Sequence, residues 1–249
     1  MKKVIFFTLS GRFAHFRFPF TSPNFLKKTF SVPPKTAVYG IIGCILGLNG
    51  FQQYEEGQPE YFAKLNHIPL SICITKIPSK TLIVYNSLNS FAKNISENPI
   101  VNIHEEILLN PEYRIGLLLD ESIEIDLKLI KLFQDSFLSS KYHLYLGKNE
   151  FFANISNVSN YSGNDFSLVN LNIVEHIESI IPSEFIDLSI PYDNLIYVSF
   201  SKNISFIDKK LKTELCEVVY FSDKETKNNI EFTKETELLK VGEKYYYLF

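Results

Sequence analysis

Residues 4–9 form an apolar run of Val, Ile, Phe, Phe, Thr and Leu, which predicts a buried strand at the start of the chain. The pattern changes at Gly11. Phe16, Phe18 and Phe20 alternate with Arg17 and Pro19, so this stretch is extended, and Pro19 confines it to an edge or a loop. Residues 22–33 are polar and basic and read as a loop. Pro33, Pro34, Lys35 and Thr36 then open a helix that runs to about Leu48, with Thr36 as its cap and Gly47 and Gly50 as its stop. A short helix is expected over 60–66. Residues 70–77 alternate cleanly as a strand, 81–85 follow as another, and 86–102 show no period. Strands are also expected over 103–109 and 113–119, broken at Asn110 and Pro111. Asp126 is placed to cap a helix over 127–138, in which Leu127, Ile130, Phe133 and Phe137 keep helical spacing. Residues 144–146 and 151–158 read as strands around a turn at Gly147. The rest is strand-like, over 166–173, 195–200, 215–221, 229–233 and 245–249.

This order predicts an α+β protein. Residues 1–158 follow the sequence of a ferredoxin-like βαββαβ unit, and residues 159–249 form an appended antiparallel β module. Both helices should cover one face of the sheet, leaving the other face free to carry function. The 249 residues, with 45% apolar and 21% charged side chains, exclude disordered and coiled-coil classes. The longest apolar stretch, 37–48, is shorter than the ~20 residues a membrane span needs. The six-residue run near the N-terminus is followed by Gly-Arg-Phe and reads as a first strand, not a leader. Cys44, Cys73 and Cys216 are far apart and flanked by apolar residues, the pattern of small buried hydrophobes in a reducing compartment.

Charge changes the picture. Residues 1–54 hold seven of the 25 basic side chains and none of the 28 acidic ones, so the remainder carries 18 against 28. A local positive field suits a phosphate backbone whatever the whole-chain net charge of −3. Arg12, His15 and Arg17 are the first candidates for RNA, since cations neutralise phosphates and planar groups stack on unpaired bases. The interleaved Phe residues are assigned mostly to packing. Lys27 and Lys28 add charge in the following loop. Lys35 and Thr36 stand where a helix start presents free N–H groups to a phosphate. Gly40, Gly43 and Gly47 share one helix face and are assigned to close packing. Gly147, Lys148 and Asn149 form a turn able to present an anion nest.

Four segments together resemble one family. They are residues 9–17 (LSGRFAHFR), 31–48 (SVPPKTAVYGIIGCILGL), 109–115 (LNPEYRI) and 145–155 (YLGKNEFFANI). The chain resembles the CRISPR-associated Cas-five family of the RAMP superfamily, most closely its type I-B branch. The resemblance implies a RAMP domain with a β-hairpin thumb inserted between its second and third strands, within about 76–104, where Lys76, Lys80 and Lys93 lie. It implies a place at the 5′ handle of crRNA in a Cascade-type complex in the cytoplasm. The partners implied are the backbone-forming Cas-seven subunit and the large Cas-eight subunit, with target DNA met only through the complex and no membrane involved.

Catalysis is weighed against binding. No two of the five His residues have helical metal spacing, no Cys pair exists, and no phosphate-cradling Gly loop occurs, so neither metal nor cofactor is expected. The acidic run at 120–126 reads as helix-dipole compensation and capping. Relatives of the type I-C branch are metal-independent ribonucleases that use His, Lys and Tyr. By that resemblance His15, Lys35 and Tyr39 are the alternative, catalytic reading. The expectation is a non-catalytic RNA-binding subunit.

Overall fold

A computed structural model describes residues 1–19, 26–50, 57–88, 100–135, 140–192, 194–207, 210–222 and 229–249. Lys93, Phe20, Phe137 and the middle of the expected thumb lie outside these residues. The chain opens with β1 (Lys2–Gly11), β2 (Phe13–Ala14), β3 (Phe16–Arg17), β4 (Leu26–Lys27) and β5 (Thr29–Phe30). Next come α1 (Lys35–Leu46), α2 (Glu60–Leu65), β6 (Leu70–Lys76), β7 (Ser79–Leu88), β8 (Ile100–Leu109), β9 (Glu112–Asp120), α3 (Glu124–Gln134) and β10 (Ala153–Ser162). The remainder is β11 (Phe166–Val174), β12 (Ile181–Pro182), β13 (Leu195–Ile207), β14 (Lys210–Phe221), β15 (Ile230–Val241) and β16 (Lys244–Tyr246). The protein is α+β with mostly antiparallel sheets, as the pattern predicts.

Four strands make the central sheet in the order β10-β1-β9-β6, each neighbour antiparallel. β1 lies inside it and is buried from Val4 through Leu9. Period-2 geometry divides its side chains between two interiors. Ile5, Phe7 and Leu9 enter the core formed with α1, α2 and α3, where Phe7 stacks on Phe133 at 5.1 Å between ring centroids. Val4 and Phe6 point the other way, into a cluster with Cys73, Leu118, Leu239, Val241 and Tyr246. Phe6 meets Tyr246 at 4.7 Å and Tyr161 edge-on at 6.0 Å.

The sheet face expected to be free is therefore covered around Val4 and Phe6. The cover comes from β11, β15 and β16, a three-stranded antiparallel sheet of the C-terminal residues. The physical reason is in β1 itself, where Val4 and Phe6 are as apolar as Ile5 and Phe7 on the other face and need a second layer. Ile180, Phe200, Val218 and Tyr220 belong to the same buried cluster as the helix-facing side of the sheet. The C-terminal residues thus pack against both sides of the N-terminal unit.

Helix ends differ in detail from the sequence pattern. Pro34 occupies the N-cap of α1 with no side-chain cap, so Thr36 is not the cap but the second helical residue. Gly47 ends α1 at φ 72°, as expected. Ile123, not Asp126, precedes α3. Asp126 lies in the first turn, is buried, accepts a hydrogen bond from the Asp120 N–H at 2.9 Å and meets His67 Nε2 at 2.9 Å. Its carboxylate still faces the positive end of the helix, so the electrostatic part of the expectation holds. Residues 144–146 form no strand; Tyr145 and Phe152 make one isolated antiparallel bridge.

A separate sheet carries β2-β8-β4, with β7 pairing β8 over ten residues as a long hairpin arm. Its alternation is visible in burial, with Leu82, Val84 and Leu88 exposed and Thr81, Ile83 and Tyr85 partly covered.

The covered sheet face has a measurable consequence. Phe6→Ala is expected to cost ~3–5 kcal/mol and Leu239→Ala ~2–5 kcal/mol, read as a shift in the denaturation midpoint at constant slope. A loss below about 0.5 kcal/mol for both, the range of surface substitutions, would show that the C-terminal sheet does not bury this face.

Candidate nucleic-acid interface

β8 places two consecutive carboxylates, Glu105 and Glu106, among the basic residues of the N-terminal segment. Successive strand residues point to opposite faces, so each gathers its own cations. Glu105 is 1% exposed. Lys148 Nζ donates to its Oε2 at 2.7 Å, His15 Nε2 lies 3.6 Å from its Oε1, and Lys27 Nζ lies 4.0 Å from the same oxygen. Lys27 also donates to the Tyr85 hydroxyl at 3.1 Å, and both Lys27 and Lys148 stand over the Tyr85 ring. On the opposite face, Glu106 accepts from Lys80 Nζ at 3.2 Å and from the Thr29 N–H at 3.1 Å.

Backbone contacts lock this node. β4 runs parallel to β8, setting Lys27 beside Glu105, and β2 pairs antiparallel at Phe13 and Ala14. The His15 N–H donates to the Leu146 carbonyl at 3.0 Å. Gly147 sits at φ 85°, and a Cβ there would lie 1.9 Å from the His15 carbonyl oxygen. Only glycine combines that conformation with that approach. The turn thereby delivers Lys148 to Glu105. Its tip also carries Glu150, which meets Lys148 at 3.0 Å. Burial pulls the Lys148 ammonium down, but its bonds to Glu105 and Glu150 outweigh that and raise it.

The sequence-predicted residues now separate into groups. His15, Lys27, Lys80 and Lys148 are brought together, but each faces a carboxylate. Three lysines against Glu105, Glu106 and Glu150 leave no net charge on the node as a whole. Glu105, Glu106 and Tyr85 are functional neighbours that the sequence reading missed. The only signal for the two carboxylates was a charged pair inside a mostly apolar strand.

His15 differs most from its expected role. It is 4% exposed, and its Nδ1 contacts the Glu106 carbonyl at 2.8 Å. Its ring cannot stack on a base from that position. Desolvation dominates the Glu105 attraction and lowers its pKa.

Arg12, Arg17 and Lys28 are exposed, and with Lys35 and Lys76 they make no ion pair among the described residues. Arg12 lies over the Phe13 ring at 5.3 Å. Arg17 pairs with Thr29 across β3 and β5, and the Phe18 N–H donates to the Lys28 carbonyl at 2.9 Å, so Arg17 and Lys28 are neighbours. Lys35 is partly buried, with its ammonium 5.9 Å from the Tyr39 ring, and burial lowers its pKa. Thr36 is half-buried beside it, Lys76 is exposed at the end of β6, and Asn149 is exposed at the tip of the turn. Gly43 is a packing position, since a Cβ there would lie 2.6 Å from Tyr61 Cβ on α2. No group of three or more metal-ligating side chains occurs among the described residues.

A profile of the family described as CRISPR-associated protein (Cas_Cas5) matches residues 4–179. The chain belongs to the Cas_Cas5 family. The match includes β1 from Val4 onward, α1, the β7–β8 hairpin and the whole carboxylate node of this Cas_Cas5 protein. A chain of a structure described as a CRISPR RNA-guided surveillance complex is 9% identical, with a TM-score of 0.49 over 92% of this chain and 91% of that one. A crystal structure of a CRISPR protein from Archaeoglobus fulgidus is 15% identical, with a TM-score of 0.48 over 99% and 98%. No curated protein matches the Cas_Cas5 chain. Among its described residues, no helix is long and apolar enough to cross a membrane.

Two outcomes follow from the node. Removing one partner of a buried pair strands the other charge, at a cost of ~3–5 kcal/mol. Lys148→Met is therefore expected to destabilise strongly, and adding Glu105→Gln to recover much of the loss. A double-mutant cycle from denaturation curves reads the coupling, and additive losses would refute it.

The second outcome concerns pH. Unfolded His15 titrates near its ordinary value of 6.5, while the folded group titrates lower. Between those values the unfolded chain binds more protons, so this contribution to stability is present above about pH 6.5 and lost as pH falls toward the lowered folded value. His15→Gln should flatten the stability profile across pH 7.5 to 5.5. Parallel profiles for the two proteins would exclude His15 as the source.

Proposed function

We propose that this Cas_Cas5 protein is a non-catalytic RNA-binding subunit of a type I CRISPR surveillance complex of the Cascade type, acting in the cytoplasm in antiviral defence. In this reading it binds and caps the 5′ handle of the crRNA beside the Cas-seven and Cas-eight subunits, and meets target DNA through the complex. The sheet order β10-β1-β9-β6 supports a ferredoxin-like RAMP domain over residues 1–158. The β7–β8 hairpin then serves as the thumb, and residues 159–249 as the appended module.

One observation carries the reading. Arg12, Arg17 and Lys28 are exposed and make no ion pair among the described residues, on a segment that also supplies Lys27 and His15 to the buried Glu105 node. Cations whose charge is uncompensated are those that release counterions from a phosphate backbone. Lys35, Thr36, Lys76 and Asn149 extend this set, and Lys27, Lys80 and Lys148 support it from beneath.

The ribonuclease alternative needs an acid and a base within reach of one phosphodiester. Of its three candidates, Tyr39 is 1% exposed and its hydroxyl donates to the Ile68 carbonyl at 2.8 Å. Burial raises its pKa. His15 is enclosed by Glu105 and Glu106. Both groups are already used inside the fold, which favours binding over cleavage.

The test is incubation of the purified chain with its own CRISPR repeat RNA in chelator, at several salt concentrations. The expected result is retention of intact RNA that weakens steeply with salt. Arg12→Ala with Arg17→Ala should reduce the magnitude of the log–log salt slope by roughly 2. Cleavage at one phosphodiester, abolished by His15→Ala, would establish the ribonuclease instead.

A further inference from the structure

The turn that delivers Lys148 to Glu105 has an outer side that the node does not use. Tyr145 and Phe152 form an antiparallel bridge, and the Leu146 N–H donates to the Phe151 carbonyl at 2.7 Å. Leu146 and Phe151 point inward and are buried. Tyr145 and Phe152 point outward, the latter 64% exposed. Partners across such a bridge share a face, with Cβ atoms ~5 Å apart. The His143 ring stands edge-on to Phe152 at 6.3 Å. Tyr142, half exposed, carries Lys141 over its ring at 5.8 Å.

The platform is anchored. The Lys141 and Tyr142 N–H groups donate to the Ile45 and Cys44 carbonyls at the end of α1, at 3.4 and 3.3 Å. Its far end abuts the basic segment, since a Cβ on Gly11 would lie 2.7 Å from the Phe152 carbonyl oxygen. Arg12 follows directly, exposed and without an ion pair among the described residues. The composition of this surface argues for its occupant. The exposed side of the β7–β8 hairpin is aliphatic at Leu82, Val84 and Leu88, as a protein contact would be. This one is built of rings, with Lys141 at one end and Arg12 at the other. Rings stack on the π-faces of unpaired bases while the flanking cations hold the phosphates.

We propose that Tyr145 and Phe152, with His143 against Phe152, form a stacking site for unpaired nucleobases of the guide RNA, continuous with the phosphate contacts of Arg12. This rests on the RNA-binding reading above and adds a site to it. Stacking of one base on an exposed ring accounts for a ~5- to 150-fold difference in affinity. It releases no counterions, so it leaves the salt slope unchanged.

The experiment titrates repeat RNA, carrying 2-aminopurine at single positions of its 5′ handle, against the full chain and its variants. Wild-type binding should quench 2-aminopurine at one or two positions. Phe152→Ala and Tyr145→Ala should each lose that quenching and weaken binding ~5- to 150-fold at an unchanged salt slope. Phe152→Trp should restore both. Denaturation midpoints verify that the variants fold, as expected for outward side chains. Wild-type affinity and quenching in both alanine variants would overturn the stacking site while leaving RNA binding intact. Variants that retain RNA with quenching but no longer join their partner subunits would also overturn it, making the platform a protein contact. If the wild-type chain retains no RNA, the underlying reading fails, and the site with it.

Discussion

A strand that is apolar on both faces needs two interiors, and β1 is such a strand. Its odd residues require the helices and its even residues require a second layer, which the C-terminal sheet supplies. Neither layer can be left out, because each Phe or Ile exposed in its place would forfeit ~1.5–3 kcal/mol. The central sheet is therefore closed above and below around Val4 and Phe6. Polar chemistry is displaced to the sheet of β2, β8 and β4 and to the turn at Gly147.

Within that peripheral region the organising group is a carboxylate out of water. Glu105 costs free energy to bury and must be met by cations. Lys148 and Lys27 come to it from segments more than a hundred residues apart in sequence, and His15 fills the remaining side. Its charge is met within the fold, and the neighbouring Arg12, Arg17 and Lys28 stand exposed beside it. The same turn uses its inner face for Leu146, Phe151 and Lys148 and turns Tyr145 and Phe152 to solvent, so support and display come from one short piece of chain.

Much of this was legible in the residues. The run at β1, the alternation of β6, the proline start and glycine stop of α1, and the strand-rich C-terminal third are local patterns, and local patterns survive into structure. The four family segments point to Cas-five, and the family match bears that out. The N-terminal excess of basic residues was also plain. What it did not reveal was compensation. Lys80 lies 26 residues before Glu106 and Lys148 lies 43 residues beyond Glu105. The pairing of β8 with β4 and β7, together with the turn at Gly147, brings the cations to the two carboxylates.

The sequence by itself determined most of the longer elements, their order and the family, because hydrophobic period, capping and motif spacing act between near neighbours. Tertiary structure alone decided which face of the sheet is closed, which basic side chains meet a carboxylate, and that His15 is enclosed. Those are questions of burial and of charges meeting across long sequence separations, and desolvation depends on what surrounds a group in space.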